Sequence, residues 1–279
     1  MTVVTSMDEF DDELRHHFYS KKIYIEGDSW VSHPLITDIG DHIDRLAPDD
    51  HLILNVAWHG DEARDIFDPR GAQFADMRSV LTSERWGDRF DLIFISAAGN
   101  DIIGPDILEH AYVRDKRQHP KLYGRELLAD NYFDVVSDVV SGYERFLRMV
   151  RSSQLNARTP IITHAYSYLQ PREAGTRFGP IKFGKGWIAR YLKQLGVRDE
   201  HEQYDIVVEM LDAFYRRLAT LNGKFDRFMA VDTRRLLLKR DGTPDLRYWR
   251  DEVHPNDAGY RQLTRTIRER ASDRGLWTL

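Results

Sequence analysis

Apolar residues in this chain fall into two patterns that alternate along its length. Short dense runs occupy residues 23–25, 51–57, 91–96, 160–165 and 228–231, each bounded by charged or turn-forming positions, and such runs read as buried strands. Between them the spacing becomes helical. Residues 34–46 set Leu35, Ile36, Ile39, Ile43 and Leu46 on one face, and residues 126–150 do the same from Leu127 and Leu128 through Tyr132, Val136, Tyr143 and Leu147 to Val150. Residues 204–221 follow with Ile206, Met210, Phe214, Leu218 and Leu221. A more polar helical stretch covers 62–81, and a closing helix is expected over 256–271. Ser6-Met7-Asp8-Glu9 has the spacing of a capping box ahead of Phe10, Leu14 and Phe18, which predicts a helix before the first strand. Strands alternating with helices predict an α/β fold: a three-layer α/β/α arrangement around a parallel, doubly wound, five-stranded sheet.

Residues 166–203 break this rhythm. They are richer in Gly, Pro, Lys and Arg, carry Tyr168, Phe178, Phe183, Trp187 and Tyr191, and are too long for a simple connection. The expectation is an insertion with a short helix near 187–195, in a chain that otherwise forms one domain over 1–279.

Composition narrows the function classes. The 42% hydrophobic fraction supports a sizeable core, and a formal net charge of −5 offers no basic stripe for nucleic acid. With no cysteine, a disulfide framework, a thiol nucleophile and a thiolate metal site are all excluded. Residues 1–12 are acidic and lack the features of a signal peptide, and no apolar run approaches the ~20 residues of a membrane span. A soluble, cytoplasmic protein is expected. None of the eleven histidines sits in a His-Glu-x-x-His helix, so no metal is expected; no Gly-x-Gly-x-x-Gly, phosphate loop or Gly-x-Ser-x-Gly elbow occurs either.

What remains is a set of small polar residues at the ends of the predicted strands, where open α/β sheets keep their chemistry. The run Ile23-Tyr24-Ile25-Glu26 stops on Gly27-Asp28-Ser29, which turns sharply and leaves a serine at the strand's carboxyl end. Serine needs a base to accept its proton and a carboxylate to orient that base. Asp251-Glu252-Val253-His254-Pro255 supplies both on one tight loop. An oxyanion would need donors, and the backbone N–H groups of Ser29 and Gly60 and the amide of Asn100 stand at the ends of adjacent strands. Taken singly, Ser29 reads as a helix cap and Asn100-Asp101 as a turn. Their joint order favours the chemical reading.

That order resembles the SGNH hydrolases, the GDSL esterase/lipase family, whose four blocks match Gly27-Asp28-Ser29, Asn55-x-Ala57-x-x-Gly60, Asn100-Asp101 and Asp251-x-x-His254-Pro255. Two positions depart from the pattern: Trp30 stands where the family name has leucine, and Ala98 where the third block usually has its first glycine. The resemblance implies the flavodoxin-like fold of that family and a serine ester hydrolase working through an acyl-enzyme without a cofactor. Ser29 is then the nucleophile, His254 the base and Asp251 its orienter, with Ser29, Gly60 and Asn100 as the oxyanion hole. Asp28 and Asp101 brace their loops. A small-molecule ester is the expected partner, bordered by Trp30, His59, Trp187 and Tyr191, with Lys182, Lys185 and Arg190 placed to face a polar or anionic leaving group. Within the family the alternatives are a carbohydrate O-acetyl esterase or an acyltransferase. Outside catalysis the alternative is a ligand-binding module on the same fold.

Overall fold

The computed structural model describes residues 2–84, 87–172, 176–178, 181–183, 186–277 and 279. Its centre is a parallel sheet of β1 (Thr2–Val4), β2 (Lys21–Gly27), β3 (His51–Asn55), β4 (Leu92–Ser96), β5 (Ile161–His164) and β8 (Phe228–Val231), in the order β1-β3-β2-β4-β5-β8. Strands covered on both faces are predominantly apolar, and Ile23, Ile25, Leu52, Leu54, Ile93, Phe94, Ile161 and Ile162 are all buried. The sheet thus has six strands where five were expected. The extra one, β1, is three residues long and sits at the edge, pairing Thr2, Val3 and Val4 with Leu52, Ile53 and Leu54. A segment that short carries no periodicity of its own and is a strand only because β3 offers it a ladder.

The helices are α1 (Met7–His16), α2 (Ile39–Leu46), α3 (Ala63–Ile66), α4 (Ala72–Thr82), α5 (Gly99–Ile102), α6 (Asp106–Glu109), α7 (Asp130–Arg151), α8 (Ala189–Gln194), α9 (Glu200–Leu218) and α10 (Asp257–Ser272). From β2 the chain steps to β3 on one side and then returns across β2 to β4, so right-handed crossovers send helices to opposite faces. Accordingly α2 packs on α10, while α7 packs on α3, α4, α5 and α9. The reversal makes the carboxyl ends of β2, β3 and β4 the place where successive loops diverge and leave a crevice.

Several expected helices begin or end elsewhere for local reasons. Asp38 caps α2 in a reciprocal pair with Asp41, so the helix starts at Ile39 and leaves Leu35 and Ile36 in the preceding loop. The 62–81 stretch divides into α3 and α4 around Pro69 and Gly71. Leu127 and Leu128 precede α7, whose first residue is Asp130. Ser6 does cap α1, accepting the Glu9 N–H at 3.3 Å, but the helix ends at His16 and Phe18 lies beyond it, 87% exposed. The 166–203 region contains the two-stranded antiparallel pair β6 (Thr176–Phe178) and β7 (Ile181–Phe183) and then α8. The side chains of Phe178, Lys182 and Phe183, and Lys185 as a whole, lie outside the described residues. Among the described residues no helix is long and apolar enough to cross a membrane.

Candidate active site

β2 ends on a glycine because nothing larger fits. Gly27 has φ +147°, and a Cβ there would stand 2.0 Å from the Ser96 carbonyl oxygen on β4. The chain then turns over at once: Asp28 donates its N–H to Ser96 at 2.8 Å, and its own carbonyl accepts the N–H groups of Val31 and Ser32 at 3.1 Å. This turn leaves Ser29 half-buried at the sheet's carboxyl edge. Asp28 itself is buried, accepting the Trp30 N–H at 2.9 Å and the hydroxyls of Ser96 and Tyr166. Burial pushes its carboxyl up to about 6, against the pull of those donors.

The second partner arrives from the far end of the chain. His254 precedes Pro255 and Asn256, and Asn256 caps α10 by accepting the Gly259 N–H at 3.1 Å. His254 Nε2 lies 2.9 Å from Ser29 Oγ, and its Nδ1 lies 3.0 Å from one oxygen of Asp251 and 3.1 Å from the other. Asp251 also accepts the N–H groups of Val253 and His254 at 2.9 and 2.8 Å. Burial alone would raise the Asp251 carboxyl, but the hydrogen bond and charge of His254 and those two N–H groups outweigh it and hold it down to about 2. A carboxylate ionised at neutral pH beside Nδ1 keeps the proton there, so Nε2 faces the hydroxyl as an acceptor. An imidazole held this way can take the proton of Ser29.

Gly60 and Asn100 line the same cavity as Ser29 and His254. Gly60 has φ +94°, with open space where a Cβ would be. Among the described residues, neither the Ser29 N–H nor the Gly60 N–H meets an acceptor. Asn100 uses one amide hydrogen on the Asp61 carbonyl at 2.8 Å, leaving the other. Ala98, ahead of α5, takes φ +120°, a conformation that favours glycine, so the departure from the family's usual glycine is carried as backbone strain. Asp101 braces the neighbouring loop by accepting the N–H groups of Ala63 and Arg64 at 2.6 and 2.9 Å.

The cavity holds about 550 Å³, within the range of small-molecule sites. The GDSL-like lipase/acylhydrolase family model matches residues 27–262, a span that contains every one of these groups. The chain belongs to that family. Ester hydrolysis in general comes with membership. Among solved structures similar in fold to this GDSL-like acylhydrolase, a protein from Streptococcus pneumonia named for platelet activating factor is 15% identical with a TM-score of 0.55, covering 95% of this chain and 90% of its own. A protein from Parabacteroides merdae named as a GDSL-like lipase is 14% identical with a TM-score of 0.54, over 91% of this chain and 96% of its own. A carbohydrate acetylesterase family member from Sinorhizobium meliloti is 15% identical with a TM-score of 0.51, over 93% and 100%. No curated protein matches the chain in sequence.

The residues expected to border the GDSL site divide. His59 and the 43% exposed Trp187 line the cavity. Trp30 reaches it too, but is only 3% exposed: its ring stacks on His164, meets Tyr166 and Tyr260 edge-on, and donates its indole N–H to the Val253 carbonyl at 3.1 Å. Its work is to hold the loop that carries His254. Tyr191 is a correction, since it lies on the inner side of α8 within the core, beside the Arg190 guanidinium, and does not line the cavity. Sequence reading missed His33, whose ring meets that of His254 edge-on at 4.7 Å. Burial, and then the neighbouring His254, push His33 down to about 4, so it stands there uncharged at neutral pH. It also missed the apolar lining of Leu35, Ile103 and Leu169, for which no motif exists. The acidic lining residues are Asp28, Glu62, Asp106 and Glu109, with no Lys or Arg among the described lining residues. Among the described residues no cluster of His, Asp or Glu could hold a metal ion.

Proposed function

We propose that this protein is a serine ester hydrolase that works through an acyl-enzyme on Ser29. The observation that carries the reading is the 2.9 Å approach of Ser29 Oγ to an imidazole whose other nitrogen is held by Asp251, at the wall of a cavity of ligand size. Ser29 Oγ attacks the ester carbonyl while His254 Nε2 takes its proton. The oxyanion of the tetrahedral intermediate is received by the N–H groups of Ser29 and Gly60 and the amide of Asn100. Collapse breaks the bond to the leaving oxygen, which His254 protonates, and the alcohol departs. Water then attacks the acyl-Ser29 carbonyl with His254 as base, releasing the acid and restoring the serine. Protein groups supply every proton transfer in this sequence.

The Glu109 carboxylate in the lining favours neutral or cationic esters over anionic ones; of the cations expected to face the leaving group, Arg190 does not line the cavity, and the Lys182 side chain and Lys185 lie outside the described residues. Arg190 is half-buried against Tyr191, and Glu62 and Asp106 both bind Arg64, at 2.9 and 3.0 Å. Apolar surface from Leu35, Ile103 and Leu169 suits an acyl or alkyl group. The test is labelling by a serine-directed phosphonate, with hydrolysis of a panel of aryl esters and acetylated sugars. Stoichiometric labelling at Ser29 that abolishes hydrolysis is expected. Full hydrolysis by Ser29→Ala would refute the acyl-enzyme.

A further inference from the structure

The loop between Asp251 and His254 carries a second carboxylate. Glu252 is fully buried, and among the described residues its side chain accepts four backbone N–H groups. Oε1 accepts the N–H of Arg172 at 2.9 Å and of Ala189 at 3.0 Å; Oε2 accepts the N–H of Ile188 at 2.9 Å and that of Trp187. A buried carboxylate needs several donors to stand away from water, and charge-assisted bonds of this kind are strong and directional. Here the four donors come from two places far apart in the chain, residue 172 and residues 187–189. Two further bonds fasten the same junction: Gln170 donates its N–H to the Glu252 carbonyl at 2.8 Å, and the Arg172 guanidinium reaches the Asp251 carbonyl at 3.2 Å.

This arrangement joins two parts of the cavity that the fold would otherwise hold independently. The Asp251–His254 loop presents the base to Ser29. Trp187, with its ring exposed at the cavity, belongs to the insertion, and its backbone N–H is one of the four that Glu252 holds. Leu169, also in the lining, precedes Gln170, whose N–H is held by the Glu252 backbone. We propose that Glu252 is a positioning residue that fixes the Trp187 wall relative to His254, and so sets which esters this site prefers. It rests on the reading of the cavity as an ester site, and it assigns Glu252 no contact with substrate.

The discriminating experiment is a double-mutant cycle between Glu252→Gln and Trp187→Ala, read as the ratio of kcat/KM for an octanoyl to an acetyl aryl ester. Glutamine keeps the size but turns one acceptor oxygen into a donor facing two N–H groups. If Glu252 acts through Trp187, each single variant shifts the ratio in the same direction by about 10-fold, the scale of a reshaped apolar pocket. The double variant then shifts it no further than Trp187→Ala alone. Glu252→Asp, which keeps the charge, should lie between wild type and Glu252→Gln, and it serves in the cycle if the glutamine variant does not fold. A Glu252 variant that melts at lower temperature but keeps the wild-type ratio overturns the proposal, as does an equal added shift in the Trp187→Ala background. Wild-type protein inert to every ester and to the phosphonate overturns the ester reading itself, an outcome distinct from either of these.

Discussion

Replacing Asp251 by asparagine tests the chemistry at its most informative atom. Asparagine keeps the shape, and its side-chain oxygen can still accept the N–H groups of Val253 and His254, which lie 2.9 and 2.8 Å from Oδ1. The amide nitrogen then takes the place of Oδ2, 3.0 Å from His254 Nδ1. Two donors cannot face each other, and the retained oxygen, 3.1 Å from Nδ1, is already occupied by the two backbone N–H groups, so the imidazole moves its proton to Nε2 and accepts the amide N–H at Nδ1, and the atom 2.9 Å from Ser29 Oγ ceases to be an acceptor. A wrong tautomer of this kind costs about 10⁴ in kcat, which corresponds to about 5 kcal/mol of barrier. Stability changes on a different scale. The Asp251 carboxyl is held at about 2 against an ordinary 3.8, so it contributes stability that is present above about pH 4 and lost as pH falls through 2. Losing the part of it that comes from the His254 ring, at most on the order of 2 kcal/mol, lowers Tm by no more than about 5 °C for a chain of this size. The assay is initial rates on a short aryl ester across pH 6 to 9, with a circular dichroism melt on the same samples. A folded Asp251→Asn protein whose kcat stays within about 10-fold of wild type would refute the tautomer argument.

Two further outcomes follow from the structure. Asn100→Ala should lower kcat by about 10²–10³ with little change in KM, because its amide acts on the oxyanion and not on the ground-state ester; a change confined to KM in steady-state kinetics would remove Asn100 from that role. Glu26 is fully buried, and burial pushes its carboxyl up to about 8 in spite of the hydrogen bonds from Tyr24, Gly27 and Gln73. Because the folded value lies above the unfolded one, its favourable contribution is complete below about pH 4 and lost as pH rises through 8. Wild-type stability should therefore fall relative to Glu26→Gln by about 1 kcal/mol per pH unit between roughly pH 5 and 8, measured by urea unfolding; parallel curves for the two proteins would show that Glu26 is ionised in the fold.

The element types were legible in the chain because each obeys a local rule. β2, β3, β4, β5 and β8 are covered on both faces and therefore read as dense apolar runs, and the buried face of α7 repeats at helical spacing from Tyr132 to Val150. Ser29, Gly60, Asn100, Asp251 and His254 were also within reach, since each stands at a strand end or before a helix, where small and polar residues are conspicuous. Tertiary structure alone decided what depends on partners distant in sequence. β1 is a strand only through its ladder with β3. Trp30 and Tyr191 were expected to border the substrate, and both are buried, Trp30 beneath rings brought from distant parts of the chain. His33 reaches His254 only through the turn that follows Ser29. Glu252 binds the backbone of residues 172 and 187–189, and a backbone N–H is the same in every residue but proline, so no pattern of side chains could have announced it.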